Sequence, residues 1–254
     1  YDASDIPEPP VDPAFQILAE DPLLLVIDKP GNLPCHPGGR YFRHTLWALL
    51  REQCGLARPV FVNRIDRETS GLVLIAKTAE AGRNLSMQFA AGRVAKAYTV
   101  LVEGSFPERL EALGWLHPDP ASAIRKKRRF SPAATGSAAP CGQAEWAETV
   151  FERARECDGF SVVTALPRTG RLHQLRATLR SLGFPVVGDK LYGVDEQCFL
   201  RFCSGGLTEA DRARLRMGRQ ALHAARLAFR HPRFGTPTEV IAPIPPDMAV
   251  LTGG

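Results

Sequence analysis

Asp66 lies in the run Val60-Phe-Val-Asn-Arg-Ile-Asp-Arg-Glu-Thr-Ser-Gly-Leu-Val-Leu-Ile-Ala-Lys77, a polar turn framed by two apolar segments. A carboxylate on a loop held by two buried strands combines a rigid scaffold with access to solvent, which suits catalysis. Arg64 and Arg67 flank it, and guanidinium charge favours the ionised form that a nucleophile needs. Composition alone favours the plainer reading, a surface turn with incidental ion pairs.

A second group is Thr169-Gly-Arg-Leu-His-Gln-Leu-Arg176. Leu172, Leu175, Leu179 and Leu182 share one stripe at helical spacing, with Arg176 at its margin. An arginine there either reaches inward to meet a carboxylate or extends to water, and an isolated helix favours the second. Lys96-Ala-Tyr98 heads a strand, where a tyrosine is ordinarily packing. Arg125-Lys-Lys-Arg-Arg129 brings five adjacent positive charges together. They repel unless something negative compensates, and either a phosphate backbone or plain solvation of a strand supplies that. His173 has the chemistry of a general base, but no serine or cysteine elbow accompanies it. Neither Gly38-Gly39 nor Gly205-Gly206 belongs to a phosphate-loop pattern.

The elements that must position these groups follow from periodicity and punctuation. Phe15–Ala19 and Leu23–Asp28 read as a hairpin, Thr45–Cys54 and Ala79–Ala91 as helices, and Val60–Asn63 and Leu72–Lys77 as short buried strands. Lys96–Glu103, Ile124–Phe130, Ala144–Glu152 and Phe160–Leu166 read as strands. Arg171–Leu182 reads as a helix stopped by Gly183, and Leu222–Phe229 and Thr238–Ile241 as closing strands. Ser131–Pro140 is a small-residue exposed connection, and Asp195–Gly218 is less regular, an insertion. Strands outnumber helices and often follow one another directly. That predicts an α+β fold: a central mixed, largely antiparallel sheet flanked by helices and loops.

The 254 residues, 44% hydrophobic and 23% charged, describe a soluble globular protein with ample core, and the net charge of +5 is compatible with a polyanionic partner without requiring one. The six cysteines form no CxxC pair and no metal-ligand spacing, so they read as reduced structural thiols, with no zinc site. No apolar run is long enough to span a membrane, and the opening residues lack a signal-peptide pattern; a cytoplasmic location is the default.

Six segments, in order, resemble one family, the RluA-type pseudouridine synthases of ribosomal and transfer RNA. Asp28-Lys-Pro-Gly-Asn-Leu-Pro-Cys-His-Pro37 is similar to its "KPxG…HP" motif, and Asn63-Arg-Ile-Asp-Arg-Glu-Thr-Ser-Gly71 to its active-site loop "HRLDxxTSG". Lys96-Ala-Tyr98 resembles "KxY", Gly170-Arg-Leu-His-Gln-Leu-Arg176 resembles "GRTHQIR", and Gly188-Asp-Lys-Leu-Tyr-Gly193 resembles "GDxxYG". Leu222-His-Ala-Ala-Arg-Leu-Ala-Phe-Arg-His-Pro232 is similar to "LHAxxLxFxHP". Asn63 stands where the family usually has His, Leu172 where it has Thr, and Thr178 where His is common.

The resemblance implies isomerisation of uridine within RNA, without metal or organic cofactor, in an RNA-binding cleft. It implies Asp66 as the catalytic carboxylate, Arg176 as its pairing arginine, and Tyr98 as the aromatic that stacks on the base and is placed to take the C5 proton. Arg64, Arg67, Thr69, Lys96, Arg125, Lys126, Lys127, Arg128, Arg171, His173 and Gln174 are the expected RNA contacts. The expected organisation is an N-terminal arm over residues 1–14 and a catalytic domain over 15–250, without an S4-like domain, acting as a monomer on structured RNA. Two other readings compete: a non-catalytic RNA-binding protein on the same fold, and a hydrolase built on His173.

Overall fold

The computed structural model describes residues 7–193 and 195–252, so residues 1–6 of the expected arm lie outside it. The chain forms two compact units: residues up to Val94 with Ala224–Pro243, and Ala95–His223 with the stretch from Ile244.

The first unit contains strands β1 (Gln16–Glu20), β2 (Leu24–Lys29), β3 (Val60–Phe61) and β4 (Ser70–Ala76), and helices α1 (Leu46–Gln53) and α2 (Ala79–Ala90). Late in the chain β10 (Leu222–Arg230) enters it and turns into β11 (Pro237–Ile241). β1 pairs with β2, β2 and β3 with β4, and β11 with β10, all antiparallel. Every residue of β4 is buried, as are all of β2 except Asp28, so they read as continuous apolar runs, not alternating ones. Leu25, Ile27, Val73 and Ile75 from these strands meet Leu46 and Leu50 of α1, one helical turn apart. Thr45 starts α1 by accepting the Ala48 N–H at 3.2 Å, and Thr78 does the same for α2 with Ala81.

Gly71 opens β4 at φ 106°, and a Cβ there would lie 2.3 Å from the Ala224 carbonyl oxygen and 2.6 Å from its nitrogen. Gly71→Ala is therefore expected to cost roughly 2–6 kcal/mol, adding backbone strain to overpacking against main chain that cannot yield. A urea midpoint equal to that of the unsubstituted protein would contradict this.

The second unit is built on β5 (Ala95–Glu103), β6 (Arg109–Pro118), β7 (Arg128–Pro132), β8 (Glu145–Cys157) and β9 (Phe160–Pro167). Their order is β5-β9-β8-β6-β7, antiparallel throughout. α3 (Gln174–Ser181), α4 (Gln197–Cys203), α5 (Glu209–Leu215) and α6 (Pro246–Thr252) complete it. Val100, Val102, Phe106, Phe151, Val163, Leu179 and Tyr192 are among its core residues. The architecture is α+β on largely antiparallel strands, as the pattern of elements predicts.

Several boundaries differ from expectation. β6 has no counterpart in the sequence reading, because Leu113 and Trp115 on its outer face blur the alternation set by Ala112, Gly114 and Leu116. Ile124–Lys127 is a turn, closed by the Lys127 N–H on the Ile124 carbonyl at 2.8 Å, so the strand expected from Ile124 begins at Arg128. The helix expected from Arg171 begins at Gln174, after His173 in a left-handed conformation with φ 55°. Leu172 thereby leaves the helix and is exposed, while Leu175 and Leu179 stay buried. The irregular stretch 195–218 contains two short helices, and α5 carries a capping box in which Thr208 and Asp211 each accept the other's backbone N–H. Among the described residues no helix is long and apolar enough to cross a membrane.

Candidate active site

In the first unit, the loop between β3 and β4 carries Asp66, and main-chain contacts fix its path. The Arg67 carbonyl accepts from the Leu33 N–H at 3.1 Å and from Lys29 Nζ at 3.1 Å. Cys35 Sγ donates to the Ile65 carbonyl at 3.5 Å, and the Thr69 N–H closes the turn on the Asp66 carbonyl at 3.1 Å. Lys29 is fully buried at the end of β2 and also donates to the Pro30 carbonyl at 2.7 Å. A buried ammonium thus ties the loop down through the Arg67 backbone oxygen.

Asp66 itself is half-buried. Burial pushes the neighbouring Cys35 thiol up; Lys29 pulls it down, and the Asp66 charge adds to the rise. Arg67 donates through Nη1 to Tyr41 Oη and through Nη2 to Glu68 at 2.9 Å. Arg64 is exposed, and its side chain has no hydrogen-bond or carboxylate partner among the described residues.

Tyr41 belongs to a loop that the N-terminal arm holds in place. Glu8 accepts the N–H groups of Phe42 at 2.7 Å, Arg43 at 2.8 Å and His44 at 2.9 Å. Burial opposes ionisation of Glu8, but these three donors and the His44 charge override it and lower its pKa from 4.5 to about 2. A depressed carboxylate contributes stability above its unfolded pKa and loses it as pH falls through the folded value. The amides of Phe42, Arg43 and His44 should therefore resist hydrogen exchange above pH 4.5 and lose that protection as pH falls toward about 2. Glu8→Gln should lower their protection at neutral pH; equal protection in both proteins would refute the clamp.

In the second unit, the turn before α3 is organised around Gln174, which is 4% exposed. Its Oε1 accepts from Thr169 Oγ1 and from the Arg171 N–H, each at 2.9 Å. Its Nε2 donates to the Glu148 carbonyl at 3.1 Å and to Thr149 Oγ1 at 2.9 Å. All four hydrogen-bonding positions of the amide are taken, so Gln174, expected to contact RNA, is instead a clasp between the turn and β8. Lys96 supports the same turn from below, donating to the Thr169 carbonyl at 3.1 Å. Burial, reinforced by the Arg171 charge, lowers its pKa.

Arg176 is 8% exposed and makes a two-pronged bond to Asp189, Nε to Oδ2 at 2.6 Å and Nη2 to Oδ1 at 2.9 Å. Asp189 Oδ1 also accepts the N–H groups of Leu191 and Tyr192, each at 2.9 Å. Its own burial pushes the carboxyl pKa up; the Arg176 charge and these hydrogen bonds outweigh it and lower the pKa overall. Tyr192, 1% exposed, gathers the rest. Its ring lies 4.9 Å from the Arg176 guanidinium carbon, and its hydroxyl bonds His173 Nδ1 and accepts the Arg128 N–H, each at 2.9 Å. Tyr98 sits half-buried on β5, opposite Ala165 of β9.

The other expected RNA contacts divide. Arg125, Lys126 and Arg129 are exposed. Lys127 is not part of a free basic run, since it pairs with Glu196 at 2.5 Å and lies 3.8 Å from Asp119. Thr69 is 2% exposed and belongs to the loop's interior, not its surface. Arg171 is exposed, with Nε on the Trp146 carbonyl at 3.1 Å and Nη1 3.5 Å from Glu145. Asn63 donates to the Leu72 carbonyl at 3.1 Å and accepts the Leu74 N–H at 2.7 Å, so it extends the pairing of β3 with β4 by a side chain. Lys29, Asp189 and Tyr192 are the organising residues that a search for reactive surface groups passes over. The signal for each is a polar residue inside an apolar run or a tight glycine-bounded turn.

The family profile for RNA pseudouridylate synthases matches residues 23–181. The chain is 31% identical to the ribosomal large subunit pseudouridine synthase D of Zymomonas mobilis, over 97% of its own length and 76% of that protein's. It is 35% identical to the mitochondrial tRNA pseudouridine(32) synthase of Saccharomyces cerevisiae, over 80% of its own length and 43% of that protein's. Among solved structures, the human RNA pseudouridylate synthase domain containing 1 superposes with a TM-score of 0.71 at 25% identity, covering 96% of this chain and 89% of that one. The profile runs through both units and takes in Asp66, Tyr98 and Arg176 alike, and on that match the chain belongs to the RNA pseudouridylate synthase family.

Proposed function

We propose that the chain converts specific uridines of ribosomal or transfer RNA to pseudouridine, with Asp66 as the catalytic carboxylate and residues 15–250 working as one catalytic domain. The observation that carries the reading is the Asp66 loop: a family-matched carboxylate on a turn whose path is set by Lys29, Leu33 and Cys35 through main-chain oxygens. A preorganised reactive group of this kind needs no rearrangement when the substrate arrives.

In the reaction the N1–C1′ bond breaks, the uracil turns within the site, C5 bonds to C1′, and C5 gives up its proton while N1 gains one, so the product is an isomer of the substrate. Three routes fit a single carboxylate: attack of Asp66 on C1′, removal of the C2′ proton to give a glycal, or attack of Asp66 on uracil C6. Tyr98 stacks on the uracil and stands ready to take the C5 proton, and Arg176 supplies positive charge to the site. The target uridine must leave its stack for any of these groups to reach it. Arg64 and Arg171, with Arg125, Lys126 and Arg129, contact phosphates of the flanking backbone.

The test is tritium release from RNA carrying 5-tritiated uridine, joined to carbodiimide-primed reverse-transcription mapping in cells with and without the gene. The reading expects release with the purified protein and the loss of discrete stops in the deletion strain. No release from ribosomal or transfer RNA, with an unchanged map, would overturn it.

A further inference from the structure

The second unit carries a concentration of positive charge that none of the family-like motifs accounts for. An open hollow of about 710 Å³ is bordered by Arg180, Arg214 and Arg216, with Glu103 as its one carboxylate and Gly104 and Gly183 in its wall. Arg216 is fixed: it caps α5 at φ 59°, its guanidinium lies against Gly159, and Nη2 sits 3.5 Å from Glu103. The side chains of Arg180 and Arg214 are exposed, and neither has a hydrogen-bond or carboxylate partner among the described residues. Three guanidinium groups therefore face a single carboxylate, and that carboxylate is already engaged by one of them.

The hollow's chemistry narrows its ligand. No aromatic side chain lines it, so it offers no surface on which a base could stack. It is recognised through charge alone and is too wide for a single small anion to fill. A run of phosphodiesters suits both facts, and glycines in the wall let a backbone approach closely. Arg180 is four residues beyond Arg176 on α3, about 6 Å along the axis, but exposed where Arg176 is buried.

We propose that this hollow is an anchoring site for the sugar-phosphate backbone of the RNA substrate, separate from the contacts to the target nucleotide. It rests on the RNA-modifying reading above, and it makes part of the substrate's affinity independent of the motif residues.

The test uses the double variant Arg180→Gln/Arg214→Gln in the full chain. Neither side chain has a partner to lose, so its melt should match the unsubstituted protein. The probes are unmodified large-subunit ribosomal RNA and transfer RNA transcripts. Two lost phosphate contacts should reduce the slope of log affinity against log salt by about 1.5. In tritium release, KM should rise about tenfold at low salt with kcat retained. An unchanged slope and KM, with the parent protein active on the same RNA, would remove the hollow from substrate binding. A parent protein inactive on every RNA would remove the functional reading itself. If inorganic phosphate raises the parent's melting temperature but the variant binds RNA normally, the hollow serves a free anion and the proposal fails.

Discussion

Asp66→Asn is expected to lower tritium release by on the order of 10⁴-fold while RNA affinity and melting temperature stay near those of the parent protein. An amide of the same shape can neither form a covalent bond to C1′ nor take a proton from C2′. The substitution keeps the main-chain supports of the loop, because Lys29, Leu33 and Cys35 meet the carbonyl oxygens of residues 65 and 67. Loss of activity therefore should not come with loss of structure. Release within about tenfold of the parent rate would assign the chemistry to another group.

Asp189→Asn should be the most destabilising of the polar substitutions. It keeps the volume but removes the negative charge opposite Arg176, leaving a buried guanidinium facing a neutral amide. Breaking a buried pair by neutralising one partner costs about 3–5 kcal/mol, which is a large share of a domain's stability. Because folding lowers the Asp189 pKa, the pair stabilises above the ordinary carboxylate value of 3.8 and fails as pH falls through the depressed one. A double variant, Asp189→Leu with Arg176→Met, removes both charges but also the acceptor of the buried Leu191 and Tyr192 N–H groups, so it should recover only part of the lost stability. A urea midpoint for Asp189→Asn equal to the parent's would show that the pair does not hold this region together.

The sequence makes some of this legible and conceals the rest for physical reasons. α1 and α2 are readable to within a residue because threonine caps precede them and apolar residues recur at helical spacing. β4 is readable because a fully buried strand is a continuous apolar run. β6 is not, since both of its faces carry apolar residues. The Asp158-Gly159 pair joins β8 to β9 through a two-residue turn, with Cys157 opposite Phe160, and could have marked that hairpin. At the candidate site, only the family-like motifs single out Asp66 and Arg176, since composition and helical spacing alone favour a surface turn and a solvent-facing arginine. Charge and motif mislead at Gln174, Thr69 and Lys127, because a polar side chain looks the same in sequence whether it faces solvent or completes an internal network. Partners distant along the chain decide that: Glu196 for Lys127, and Glu148 with Thr149 for Gln174.

The rung that Asn63 contributes beside β4 bears on how this position can vary. What the strand requires there is one donor and one acceptor on a short planar group, meeting the Leu72 oxygen and the Leu74 nitrogen. A neutral imidazole also has one donor and one acceptor, but its ring nitrogens point away from each other, so it would meet only one of these groups at a time. Aspartate, with no proton to give when ionised, would keep only the bond from the Leu74 N–H. Asparagine meets both at once, and so closes the β3–β4 pairing at the foot of the Asp66 turn.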